Sequence, residues 1–278
     1  AWLEKMQCAR CIPDLYSYNS VFAVFNRRAD VLAAEQWMEN IKDKRFQPDL
    51  VSVNSLLHVK ALASDSVGAV QTFDEYFSNP KLRADEKSYS SVIDAFSKAG
   101  DPQNALKWLQ KLQNAGFKVD IVGHTAMLDA YIKSGDVTSA IEYFETNVDA
   151  NHAKSNLDRS IFSSLLDGLA KFGLAEQAVT WLDRMQNDYG VRPCAACYAH
   201  VISAYAKNHD YVGAKNIFSR MEQANIKPNE ACWMGLVHSQ RKVAAAGETE
   251  GRVLEKMIHF SKPERLYRRV LYKSIFEH

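Results

Sequence analysis

The sequence predicts an all-α fold, a right-handed superhelical solenoid of antiparallel helix pairs. Three observations carry this: a period near 35 residues, one small residue recurring at a fixed place in each period, and helical spacing of apolar residues within it. The period shows first in the endings Pro13-Asp14, Pro48-Asp49, Pro193-Cys194, Pro228-Asn229 and Pro263-Glu264, whose separations are multiples of roughly 35 residues. Boundaries set there divide residues 1–278 into a single array of repeats at 15–49, 50–85, 86–120, 121–158, 159–194, 195–229 and 230–264. Residues 1–14 are then a partial repeat, and 265–278 the helix of a further repeat or a cap.

In this register the twentieth position holds Ala34, Ala69, Ala105, Ala140, Ala178 and Ala214, and position 24 holds Met38, Phe73, Leu109, Phe144, Leu182 and Phe218. Positions 7 and 8 pair Val21 with Phe22, Leu56 with Leu57, Val92 with Ile93, Met127 with Leu128, Leu165 with Leu166 and Val201 with Ile202. Within one repeat Tyr89, Val92, Ile93 and Phe96 fall at i, i+3, i+4 and i+7, and so do Ala105, Trp108, Leu109 and Leu112, which makes two amphipathic helices. Gly100, Gly135 or Gly173 marks the turn between them. Asp30, Asp65, Asp101, Asp136 and Asp210 follow that turn, where a short carboxylate caps the next helix. A single pair this small cannot bury its own apolar faces, so neighbouring pairs must stack, with the alanines allowing close approach and the first helices lining an inner face.

The tetratricopeptide pattern, with an early Trp and a following Leu-Gly, is absent from every repeat. The segments Tyr18-Asn19-Ser20-Val21-Phe22, Tyr89-Ser90-Ser91-Val92-Ile93-Asp94 and Phe162-Ser163-Ser164-Leu165-Leu166-Asp167 instead resemble the pentatricopeptide repeat family, and the resemblance covers essentially the whole chain. It implies binding of single-stranded RNA, one base per repeat, in a mitochondrion or plastid, for transcript processing, stability, splicing or translation. It further implies that position 5 of a repeat and its last residue select the base, while position 2 packs on the base face.

Carried onto this sequence, the base-reading pairs are Asn19 with Asp49, Asn54 with Asp85, Ser90 with Asp120 and Thr125 with Asp158. The family resemblance assigns uracil to Asn with Asp and guanine to Ser or Thr with Asp, so the expected preference is 5′-UUGG. Chemically, Asn, Ser and Thr offer a donor and an acceptor to an unpaired base edge, and a carboxylate accepts from a ring N–H. Base packing falls to Tyr16, Val51 and Val122, whereas Lys87, Ser160, Ala196 and Ala231 suit it less. Later repeats depart from the pattern: Ser163 pairs with Cys194, Ala199 with Asn229 and Met234 with Glu264, so base selection is expected to fade there.

Position 13 carries Arg27, Lys98, Lys133, Lys171, Lys207 and Lys242, and fails only at Leu62. Such a basic row suits phosphate contacts, and it equally suits the negative ends of the first helices. Six phosphate contacts would give a log–log salt slope of roughly −4 at about −0.7 each. In the tail, Arg265, Arg268, Arg269 and Lys273 read as one solvated face of a further first helix, or as a separate RNA or membrane-surface segment.

A net charge of +1 argues against a basic shell over the whole molecule and calls for a local stripe. No stretch of about 18 uncharged apolar residues occurs. A start at Ala1, in sequence that already reads as helix, suggests a fragment of a longer protein. Five cysteines give no disulfide framework and fit a reducing compartment. Cys8/Cys11 and Cys194/Cys197 could supply four thiolates to zinc, but a stack holds them about five repeats apart, tens of ångströms at roughly 10 Å per helix layer. No metal and no cofactor is expected, beyond a remote two-thiolate site borrowing His200.

None of the eight histidines precedes a Glu by two residues, as a zinc deaminase requires, and no phosphate loop or nucleophile elbow occurs. The chain is therefore expected to bind rather than catalyse. Two readings remain open: an RNA-binding module, and a protein-interaction scaffold or structural subunit of an organellar ribosome or transcription complex.

Overall fold

A computed structural model of the chain describes residues 8–78, 81–149 and 157–240, together with Leu3 and Met6. The described residues are helical with no strand, and they fall into two compact halves, Ala1–Glu142 and Tyr143–His278.

In the N-terminal half the helices are α1 (Leu15–Asn19), α2 (Phe22–Arg28), α3 (Val31–Asp43), α4 (Leu50–Leu62), α5 (Ser66–Phe77), α6 (Glu86–Ala99), α7 (Pro102–Asn114) and α8 (Ile121–Ser134). A further helix, α9 (Val137–Tyr143), runs directly into a π-helical segment, Phe144–Asp149. The C-terminal half continues with α10 (Arg159–Lys171), α11 (Ala175–Asn187), α12 (Ala195–Lys207), α13 (Tyr211–Gln223) and α14 (Glu230–Gln240). Residues 241–278, including Lys242, Glu264 and the basic tail, lie outside the described residues.

The packing follows from which face is apolar. First helices pack on one another in a row, α4 on α6 on α8 in one half and α10 on α12 on α14 in the other. Second helices lie against their own first helix and the next one, as α7 does against α6 and α8, and α13 against α12 and α14. All six alanines at position twenty are fully buried, where a larger side chain would force the helices apart. The position-8 residues from Phe22 to Ile202 are buried with them.

Local signals set the helix ends. Asp30, Asp65, Asp101 and Asp210 each accept a hydrogen bond from the backbone N–H three residues on, and Asp136 does the same from Ser139 N at 2.9 Å. Gly100 and Gly135 end α6 and α8 in the left-handed region, at φ of 72° and 90°, which costs a glycine nothing.

Two departures from regular pairing appear. The first helix of repeat 15–49 is broken into α1 and α2: Val21 N bonds Tyr18 O and Val24 N bonds Val21 O, both three residues back, and the Ser20 hydroxyl donates to Tyr16 O at 2.9 Å. The second helix of repeat 121–158 ends in the π turn, which carries Phe144 into an aromatic cluster with Phe162, Trp181 and Tyr189 at ring separations of 5.0–6.0 Å.

That cluster is one case of an interlock. Phe73 meets Tyr89 at 5.0 Å and Trp108 at 4.8 Å, just as Phe144 meets Phe162 and Trp181. In each, the position-24 side chain of one repeat enters between the position-4 and position-23 rings of the next.

Candidate nucleic-acid interface

The last residue of a repeat is also the N-cap of the next first helix. Asp14, Asp49, Asp85, Asp120 and Asp158 all occupy that place with extended backbone, and so does Cys194. Position 5 lies one turn inside the preceding first helix, so stacking first helices brings position 5 of one repeat to the cap of the next.

The first two predicted pairs meet in the same geometry. Asn19 Nδ2 donates to Asp49 Oδ1 at 3.0 Å, and Ser52 Oγ, itself 2.8 Å from Asp49 Oδ1, reaches Asn19 Oδ1 at 2.7 Å. One repeat on, Asn54 Nδ2 donates to Asp85 Oδ1 at 3.0 Å and Ser88 Oγ donates to Asn54 Oδ1 at 2.7 Å. Since a carboxylate only accepts, the amide nitrogen must face it, and the serine hydroxyl then holds the amide oxygen. Each amide keeps one N–H and one lone pair for a further partner, in a fixed orientation.

Partial burial raises the Asp49 and Asp85 carboxyls. Hydrogen bonds from the serine backbone N–H and from the asparagine amide outweigh it and hold both below the ordinary carboxylate value. Both are therefore ionised at neutral pH and act as acceptors only.

Ser52 and Ser88 were not among the predicted site residues. Their signal is in the sequence: Asp14-x-x-Ser17, Asp49-x-x-Ser52 and Asp85-x-x-Ser88 share one spacing, a capping box at the last two. Ser88 is fully buried. Ser88→Ala leaves the Asn54 amide oxygen and the Asp85 backbone N–H without this partner, so a loss of about 1–3 kcal/mol in chemical denaturation is expected.

The third and fourth pairs are built differently. Asp120 caps α8 through Gly123 N at 2.8 Å, and Gly123 stands where a serine stands in the earlier clamps. Thr125 donates its hydroxyl to Ile121 O at 2.7 Å, so its proton is spent inside α8. Asp158 accepts from Arg159 N at 2.6 Å. Ser163 Oγ lies 3.4 Å from His200 Nε2, and His200 Nδ1 lies 3.5 Å from Asp167 Oδ1. Burial lowers the His200 pKa, against the pull of Asp167.

A groove of about 560 Å³ opens over α4, α6 and α8, lined by Val51, Asn54, Asp85, Lys87, Ser90 and Val122 among others. It thus collects the position-2 side chains of three successive repeats and the second of the pairs expected to read a base. Val51 and Val122 are 58% and 69% exposed, and Tyr16 is 80% exposed. Asn26 also lines the groove, and its Oδ1 is buried without a hydrogen-bond partner.

The basic row is less uniform than its spacing suggests. Arg27 and Lys133 are exposed in the last turns of α2 and α8. Lys98 is bound to Asp94 at 2.7 Å and Lys171 to Asp167 at 2.6 Å, and Lys207 donates to the Lys171 carbonyl at a helix end. Three of the five described cations therefore already have partners, two of them carboxylates one turn back on the same helix and one a carbonyl at a helix end, the partner that the helix-end reading provides.

The pentatricopeptide repeat domain pattern matches residues 107–167 and 180–233, and the PPR repeat pattern residues 87–117 and 160–189, so together they run from 87 to 233, more than half of the chain. The chain belongs to the pentatricopeptide repeat family. A pentatricopeptide repeat-containing protein of Arabidopsis thaliana is 29% identical over 80 residues, which are 29% of this chain and 13% of that relative. Among solved structures, the maize pentatricopeptide repeat protein PPR10 aligns with a TM-score of 0.60 at 20% identity, over 98% of this chain and 43% of that one. PPR10 in complex with an 18-nt psaJ RNA element aligns with a TM-score of 0.55, over 98% of this chain and 44% of that one. The pentatricopeptide chain described here thus spans less than half the length of the proteins it matches, and shares the helical repeat fold with PPR10.

Proposed function

We propose that this pentatricopeptide repeat array, with the repeat boundaries given above, binds single-stranded RNA along its first helices, one base per repeat. The observation that carries the proposal is the Asn–Asp–Ser clamp, formed twice, with its second copy beside exposed apolar side chains in one groove. The fold shared with an RNA-bound relative supports it.

In this reading Asn19/Asp49 and Asn54/Asp85 each select uracil, and Ser90/Asp120 and Thr125/Asp158 guanine, giving 5′-UUGG, with Ser163 a weaker reader. Tyr16, Val51 and Val122 pack on base faces. Arg27, Lys98, Lys133, Lys171, Lys207 and Lys242 follow the phosphates, Arg27 and Lys133 most directly. The array acts in a mitochondrion or plastid on transcript processing, stability or translation, as a binding module without chemistry of its own.

The test is fluorescence anisotropy with short RNAs that contain or lack a central UUGG, at two salt concentrations and against matched DNA. The expected result is RNA-selective, sequence-dependent binding. Because carboxylates already neutralise Lys98 and Lys171, the log–log salt slope should be shallower than the roughly −4 of six independent phosphate contacts. The same neutralised lysines favour a second reading, a scaffold held by proteins, and absence of RNA binding at micromolar concentration would select it.

A further inference from the structure

We propose that Cys194 and Cys197 form a thiol–disulfide switch at the start of α12, closed by exchange with a low-molecular-weight disulfide such as oxidised glutathione. The two sulfurs lie 3.7 Å apart, across the first turn of the helix, and Cys194 is the N-cap while Cys197 is inside. A disulfide needs about 2.05 Å between sulfurs, so closure asks each side chain to move by roughly an ångström.

The two thiols differ in the way an exchange reaction requires. Cys194 is partly exposed and Cys197 fully buried. Partial burial raises the Cys194 thiol, but the backbone N–H groups of Cys197 and Ala196, the Cys197 thiol and the Arg159 guanidinium outweigh it, leaving the value below that of an ordinary cysteine. Arg159 is held nearby, its Nε donating to Arg192 O at 3.1 Å. Burial pushes Cys197 up to about 11, and the neighbouring Cys194 sulfur adds to it. Cys194 is therefore the attacking sulfur and Cys197 the resolving one.

The chemistry balances in two steps. The Cys194 thiolate attacks one sulfur of the small disulfide, forming a mixed disulfide and releasing one small thiolate, which takes up a proton. Cys197 then loses its proton to solvent and attacks Cys194 Sγ, breaking the mixed disulfide and releasing the second small thiolate. Two protein thiols are oxidised, and one small disulfide is reduced to two thiols.

The other cysteines lack this arrangement. Cys8 and Cys11 are both exposed, so nothing separates an attacking from a resolving thiol, and Cys232 is buried against Met221 Sδ at 3.7 Å.

The full chain is incubated with oxidised glutathione, blocked with an alkylating agent under denaturing conditions and mapped by mass spectrometry. The peptide carrying Cys194 and Cys197 should be unalkylated and lighter by two hydrogens, and the Cys232 peptide alkylated. Cys197→Ser should keep glutathione on Cys194, whereas Cys194→Ser should carry none on Cys197; circular dichroism of each variant establishes that it is folded. Alkylation of both thiols in the treated wild type, or stable glutathione on Cys194 with Cys197 present, overturns the proposal. The readout involves no RNA, so it stands or fails apart from the proposed function.

Discussion

Phe144→Ala is expected to lower the stability of the C-terminal half by about 3–5 kcal/mol, the range for removing a fully buried phenylalanine. The ring packs on Phe162, Trp181 and Tyr189 at once, so the deletion opens a cavity among rigid aromatic groups that cannot collapse into it. It also removes the side chain that enters the next repeat. Urea unfolding followed by tryptophan fluorescence should show a lower midpoint, and Trp181, 5.0 Å from the lost ring, should report it directly. A change below about 1 kcal/mol would mean that the π turn does not hold this ring in the core.

Asn54→Ser is expected to move the preference at its repeat from uracil toward guanine, by about tenfold in the ratio of affinities, the worth of one well-placed hydrogen bond to a charged pair. Asn54 now offers its amide with the oxygen held by Ser88 and the nitrogen turned to Asp85. A serine hydroxyl is shorter and presents a single proton, and the pair becomes the Ser–Asp combination of Ser90 with Asp120. Competition between RNAs that differ only at the nucleotide facing this repeat gives the ratio. Equal affinity of wild type and variant for both RNAs would remove Asn54 from the readers.

Much of the fold was legible because burial leaves a period. The alanines at position twenty and the aspartate caps at 30, 65, 101, 136 and 210 follow from spacing and capping chemistry alone, and all are where that chemistry puts them. The break between α1 and α2 was not legible, since Ser20 is unremarkable in a helix until its hydroxyl turns back on Tyr16 O. Nor was the π turn, which shifts a hydrogen-bond register without changing which residues are apolar.

At the candidate site, pairing position 5 with the last residue came from resemblance, and its physical basis lies in contacts 30 and 31 residues apart in sequence. Ser52 and Ser88 were overlooked because their spacing reads as a helix start, which it also is. His200 next to Ser163, and the carboxylates that neutralise Lys98 and Lys171, depend on rotamers and neighbouring helices that no spacing reveals.

The double duty of the last residue has a consequence for anyone rewriting such an array. On the proposed reading, a side chain at that place must begin a helix before it can choose a nucleotide, and only Asp, Asn, Ser and Thr do this well. The alphabet available for recoding one repeat is thereby confined to a few letters, whatever the base would accept. Cys194, which makes no side-chain cap bond, marks a place where that spelling rule has been relaxed.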